Sequence, residues 1–225
     1  MTSRRQLLST VLVTVVTAGC GASPAARFYT LAATATAPDQ VEAGTDSAAK
    51  RYAVVVGPVS IPGEVDRPQF VVHVAANRVA LDEFNRWAAP LNDGIARAVA
   101  GNLSTLLATP DVATASLANF NAAYAVNIDV QRFDSTPGES ALLDAVWTVR
   151  GFASGTTRAG RSVVSKTVSD KGFEALAATH SQLLGSMSND IAAAIRAVAE
   201  SESATPHPDA AKSAAQDNGR KSGRK

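Results

Sequence analysis

A single cysteine in this chain sits where covalent modification chemistry would place it. Cys20, the only Cys, directly follows the small residues Thr17-Ala18-Gly19. Before them, Arg4 and Arg5 form a positive start and Leu7 to Ala18 a short, mostly apolar run. That run is too short to cross a hydrocarbon core of ~30 Å, so residues 1–19 read as a signal peptide. The signal peptide would be cut before Cys20, and the thiol would carry a diacylglycerol through a thioether. A lone Cys in an exported chain has no intramolecular disulfide partner, and lipidation accounts for it. Each acyl CH₂ buried in a leaflet contributes ~0.8 kcal/mol, so several chains hold a protein firmly. Ser3-Arg4-Arg5-Gln6-Leu7-Leu8 also fits a twin-arginine signal, which leaves the export route open between that and Sec. Gly21, in place of the Asp that favours inner-membrane retention, points to the outer membrane.

Catalytic chemistry finds no comparable signature. His73 lies on a strand pattern, His180 on a helix stripe and His207 near the C-terminus. No His-x-Glu, Glu-x-x-His or Cys–His spacing offers a metal site. Ser154-Gly155 and Gly185-Ser186 lack the flanks of a nucleophile elbow. The expectation is a non-enzyme with no cofactor and no metal. Formal net charge is +1, and removing Arg4 and Arg5 with the signal peptide takes it to −1. A nucleic-acid binder would carry a basic face, so none is expected as a partner.

The elements that must carry any surface follow from hydrophobic period. The apolar share is 46% but aromatics are only 5%, so Ala and Val build much of the core. Phe28-Tyr29-Thr30-Leu31 reads as a short strand, and Ala32 to Lys50 as a flexible excursion with little to bury. Tyr52 to Val59 is a continuous β-rich run suited to a central strand, ended by Pro58. Phe70 to Val74 and Arg78 to Leu81 make a hairpin across Ala75-Ala76-Asn77. Leu91, Ile95, Val99, Leu103 and Leu106 form a helical stripe bounded by Pro90 and Pro110. Three strands then form a meander: one from Tyr124 with a bulge at Arg132-Phe133, one from Leu143 towards Phe152, and Arg161 to Val168. Leu176, His180, Leu183, Met187, Ile191, Ile195 and Val198 mark a second helix, from about Phe173 to Glu200. The predicted fold is α+β: a mainly antiparallel sheet of about five to six strands with two long amphipathic helices against it. The division is 1–19 signal peptide, 20–51 lipidated N-terminus with strand and linker, 52–200 domain, and 201–225 disordered basic tail.

Taken together these residues resemble the auxiliary lipoproteins of ABC-type transporters, in particular the paraquat-inducible PqiC-like group. The likeness runs over about residues 18–200. It starts at the lipobox and Phe28-Tyr29-Thr30-Leu31, and continues through Val56-Gly57-Pro58-Val59-Ser60-Ile61-Pro62, Asp66-Arg67-Pro68-Gln69 and Asn77-Arg78. It is densest in Glu83-Phe84-Asn85-Arg86-Trp87-Ala88-Ala89-Pro90-Leu91, and returns in Val126 to Phe133. The resemblance implies an adaptor in an MCE-type lipid-transport system, docked to a periplasmic MCE-domain protein at the outer membrane and supporting envelope integrity. Homo-oligomerisation stays open. Arg67, Arg78, Glu83, Arg86 and Trp87 are the expected partner-binding residues, since Arg and Trp are enriched at interface hot spots. For Trp87 the competing reading is packing at the sheet-to-helix corner, and Trp147 reads as core. The rival function is a lipoprotein that carries a lipid or other ligand in its own pocket, which needs an apolar cavity between sheet and helices.

Overall fold

A computed structural model describes residues 24–36, 52–114 and 120–204. Cys20, most of the segment read as a linker, and residues 205–225 lie outside the described residues. Eight strands and two helices follow in the order β1 (Arg27–Tyr29), β2 (Val54–Ser60), β3 (Gln69–Ala75), β4 (Arg78–Trp87), α1 (Leu91–Leu106), β5 (Val112–Ala113), β6 (Tyr124–Thr136), β7 (Ser140–Gly151), β8 (Thr157–Thr167) and α2 (Phe173–Ala204).

The expected single, mainly antiparallel sheet is corrected to two mixed sheets, one of three strands ordered β1-β4-β3 and one of five ordered β5-β2-β6-β7-β8. The antiparallel pairs β3/β4, β6/β7 and β7/β8 are those joined by short turns. The parallel pairs β1/β4, β2/β5 and β2/β6 join strands far apart in the chain. Pro58 does not end β2. The register shifts between Val56 and Val59 and pairing resumes at Val59 with Ile128, so the imino acid sits in a bulge.

The alternation along β6 follows the expected period: Tyr124, Val126, Ile128 and Val130 turn inward, with a register shift between Val130 and Arg132. The helices lie side by side, α1 over β2 and β5 and α2 over β6, β7 and β8. Ile95, Val99, Leu103, Leu176, Leu184, Met187, Ile191 and Ile195 are wholly buried between them and the sheets. An aromatic cluster closes the seam with the small sheet: Phe70 stacks on Trp87 at 4.4 Å and meets Phe173 edge-on at 5.2 Å.

α2 runs four residues past its expected end because Glu202 is tied to the sheet. Its carboxylate accepts from Tyr124 Oη at 3.1 Å and from Ser154 Oγ at 2.8 Å. Burial, and then the Glu202 bond, push the Tyr124 phenol up to about 12.

Residues 31–36 depart from the expected excursion. They lie extended across the helices as a strap. Asn102 Oδ1 accepts from the backbone N–H of Thr34 at 2.7 Å and of Ala35 at 2.8 Å, while Ser181 Oγ accepts from that of Ala32 at 3.1 Å. Side-chain size fixes the fit. A Cβ on Gly101 would come within 2.8 Å of Ala33 Cβ, and one on Gly185 within 2.6 Å of Thr34 Oγ1. A segment with nothing large to bury is held instead through its own backbone donors, which need partners once covered.

Candidate functional site

The small sheet turns Tyr29, Phe70 and Trp87 toward the core. Register therefore puts Phe28, Arg86 and Gln69, which pair in a row across β1, β4 and β3, on the opposite, outer face. Trp87 N–H donates to Pro68 O at 2.8 Å, bringing the 67–69 segment against the end of β4. There Glu83 Oε2 accepts from Gln69 Nε2 and from an Arg86 guanidinium nitrogen, both at 3.3 Å, and Arg86 Nε donates to Glu83 O at 2.8 Å. Arg67 donates to Gly63 O at 3.3 Å, and its Nε is buried with no partner among the described residues.

Between Gln69/Arg86 and Phe70/Asp82 the register jumps, so β4 bulges over residues 83–85. Asp82 holds that bulge. Its Oδ1 accepts from the backbone N–H of Phe84 at 2.9 Å and Asn85 at 2.8 Å. Burial disfavours its charge, but these bonds and one from the Asn85 side chain outweigh that and keep its carboxyl below the usual range.

The structure thus joins Glu83 and Arg86, with Gln69 added, in one polar cluster, while the Arg67 side chain is held by Gly63 O in the neighbouring segment. Arg78 stands apart at the hairpin end, opposite Ala75. Trp87 is buried behind the cluster, against Phe70 and, edge-on at 6.2 Å, Phe133. Its packing role is direct, and any effect on a partner passes through the strand it anchors. Gln69 escaped the sequence reading because an amide on a strand pattern carries no distinctive signal.

His180 is wholly buried, stacked on Phe133 at 3.8 Å, with Nε2 at 2.8 Å from the buried Ser135 Oγ. Burial alone pushes its imidazole down to about 3, so it is neutral at pH 7. A Ser–His pair shut away from solvent is a packing device, since a nucleophile must meet its substrate. His73 lies 3.5 Å from Asp134 on the outer face, beside an open cleft of about 640 Å³. Trp147 is core, its indole N–H donating to Ser162 Oγ at 3.0 Å. No group of three His, Cys, Asp or Glu is placed to hold a metal among the described residues.

Two helices layered on two mixed sheets define a domain of the α+β class. The chain belongs to the ABC-type transport auxiliary lipoprotein component family, whose description matches residues 29–192. That family is a transport component and not an enzyme class. No curated protein matches the chain. Among solved structures it is similar to protein XCC0632 from Xanthomonas campestris, of the DUF330 family, with 17% identity and a TM-score of 0.62, covering 80% of this chain and 100% of that one. It is also similar to an uncharacterised protein of unstated organism, with 18% identity and a TM-score of 0.57, covering 65% of this chain and 95% of that one. At these identities the likeness concerns the fold.

Proposed function

We propose that this protein is a PqiC-like, membrane-anchored adaptor of an MCE-type ABC lipid-transport system. Acyl chains on Cys20 hold it to the inner leaflet of the outer membrane. The domain meets the periplasmic MCE-domain component through the polar cluster of Gln69, Glu83 and Arg86 and the neighbouring Arg67, with Arg78 as an outlying contact and Trp87 as its buried support. Membership of the transport auxiliary family carries this reading. The rival, an own-cargo carrier, would have to use the recess of about 310 Å³ that Tyr29, Leu31, Trp87 and Leu91 line at the sheet-to-helix corner, at the small end of the range for ligand pockets.

The test is a pull-down of the tagged, acylated protein from detergent-solubilised membranes, with mass spectrometry of retained proteins and lipids. Recovery of an MCE-domain protein, lost in Arg67→Glu or Arg86→Glu chains that keep the native melting temperature, is the expected result. Arg86 and Glu83 are exposed enough that their pair contributes little to stability, so the reversal should leave the fold intact. Recovery of one lipid per chain and no transporter component would instead establish the carrier.

A further inference from the structure

Most of the large apolar side chains exposed on the described surface belong to one small area. Phe28 is 63% exposed, Phe84 41%, Leu81 and Val79 43% each, and Val74 49%; all five lie on the three strands of the small sheet. Their placement follows from register. Phe28 pairs with Arg86 on the face away from Trp87, while the exposed Leu81 and Val79 of β4 pair with the buried Val71 and with His73. Phe84 is exposed in the bulge that Asp82 holds between Leu81 and Arg86. Scattered single apolar residues need no explanation, but a contiguous stripe marks a contact.

Chain length identifies what the stripe contacts. Arg27, the first residue of β1, comes only seven positions after Cys20. Whatever its conformation, that stretch reaches at most about 25 Å. β1 is an edge strand of the small sheet and carries Phe28, so the anchored end of the chain enters the fold at the apolar stripe itself. The 32–50 segment lies after β1, between two strands that are both part of the fold, and cannot lengthen this tether. Arg78 and Arg86 flank the stripe along β4. Long cationic side chains beside aromatic and aliphatic ones are the composition of a surface that sinks its apolar groups to headgroup level and keeps its charges at the phosphates.

We propose that the outer face of the small sheet, through Phe28, Phe84, Leu81 and Val79, lies against the bilayer to which the chain is anchored. This rests on Cys20 being the acylated residue. The polar cluster of Gln69, Glu83 and Arg86 adjoins the stripe across β4 and β3, so a partner seated there would itself stand at the membrane surface.

The test uses the acylated full-length mature chain. Acylation leaves no free thiol on Cys20, so Leu81→Cys or Phe84→Cys can be labelled uniquely with an environment-sensitive fluorophore. Asn127→Cys, on an exposed position of β6, is the control. The proteins are placed in vesicles of phosphatidylethanolamine and phosphatidylglycerol, and the intact mass is read first. With Cys20 acylated, labels at 81 and 84 should shift to the blue and be quenched severalfold by nitroxide-bearing lipid, while the label at 127 stays unchanged. Labels at 81 and 84 that remain as wet as the control overturn the proposal and leave the anchor standing. A blue shift already present in detergent, growing with protein concentration, also overturns it by assigning the face to a second copy. An unmodified Cys20 removes the anchor reading and the tether argument together, and the mass alone identifies that outcome.

Discussion

His180 and Asn102 are both buried polar groups on helix faces, and their different partners decide what each contributes. The imidazole has one partner, Ser135, and its Nδ1 has none among the described residues. With a folded value near 3 against an ordinary 6.5, the folded chain keeps it neutral while the unfolded chain protonates it between those limits. The unfolded state then binds the extra proton. Stability contributed by the neutral ring is complete above about pH 6.5 and is lost as pH falls toward 3, by an amount on the order of a few kcal/mol. Urea unfolding followed from pH 7 to pH 4 should show that decline, and a His180→Phe chain should show a clearly shallower one. An equal slope in both would assign the acid sensitivity to other groups. Trp87 belongs at this scale too. Because it stacks inside the aromatic cluster, Trp87→Ala is expected to cost about 3–5 kcal/mol of stability, read as a fall in melting temperature. Loss of transporter binding without that fall would put the indole at the interface instead.

At the scale of elements, the strap shows how small residues build a specific contact. Gly101 and Gly185 leave the room that Ala33 and Thr34 occupy, and Asn102 supplies the acceptor for two strap amides. Gly→Ala inside a helix ordinarily stabilises by about 0.5–1 kcal/mol, yet at Gly101 the new methyl would meet Ala33 at 2.8 Å. Gly101→Ala should therefore free the strap, seen as faster hydrogen exchange at residues 33–35 with exchange in α2 unchanged. Retained protection would mean that the helices shift to admit the methyl. The strap was illegible in the sequence for a physical reason: it is held by backbone N–H groups, which every residue has, and the only trace is an Asn and two glycines on helix faces. Strands β1, β2, β3, β6, β7 and β8, the first four residues of β4 and both helices were legible, since burial writes its period into the chain, whereas the bulge hid the rest of β4. The parallel pairings of β1 with β4 and of β2 with β5 and β6 were not, because no turn joins those strands and their partners are chosen by the assembled core. Of the candidate surface, the residue types were legible but not their grouping. The bulge at 83–85 brings Arg86 and Glu83 to Gln69 and leaves Arg78 at the far end of the hairpin, and no local pattern announces a bulge of that size.

For the whole molecule, the order of segments along the chain fixes how far the domain stands from its anchor. A strand of the fold begins only seven residues after Cys20, and the longer Ala/Thr-rich stretch follows that strand. Reading the longer stretch as the tether would give the domain several nanometres of freedom. With β1 paired to β4, that stretch connects two strands of the fold, and on the proposed anchor at Cys20 the short one is the tether. Its ends are close together in the fold: Thr36 shares a cleft with Leu106, and Tyr52 O accepts from Thr109 Oγ1 at 3.0 Å just beyond the same helix end. Closing such a loop depends only weakly on its length. Deleting five residues within 40–48 should therefore leave melting temperature, membrane retention and transporter co-purification unchanged. Inserting a twenty-residue Gly/Ser segment after Ser23 should keep the protein in the membrane fraction but add an r.m.s. span of roughly 25 Å between anchor and domain. Cross-linking to the transporter component should then fall, because a domain that wanders over a larger volume presents its polar cluster to the docking site at a lower effective concentration. The reverse pattern, with cross-linking sensitive to the internal deletion and indifferent to the insertion, would place the working tether in the 37–51 stretch and require β1 to leave the sheet in the bound state.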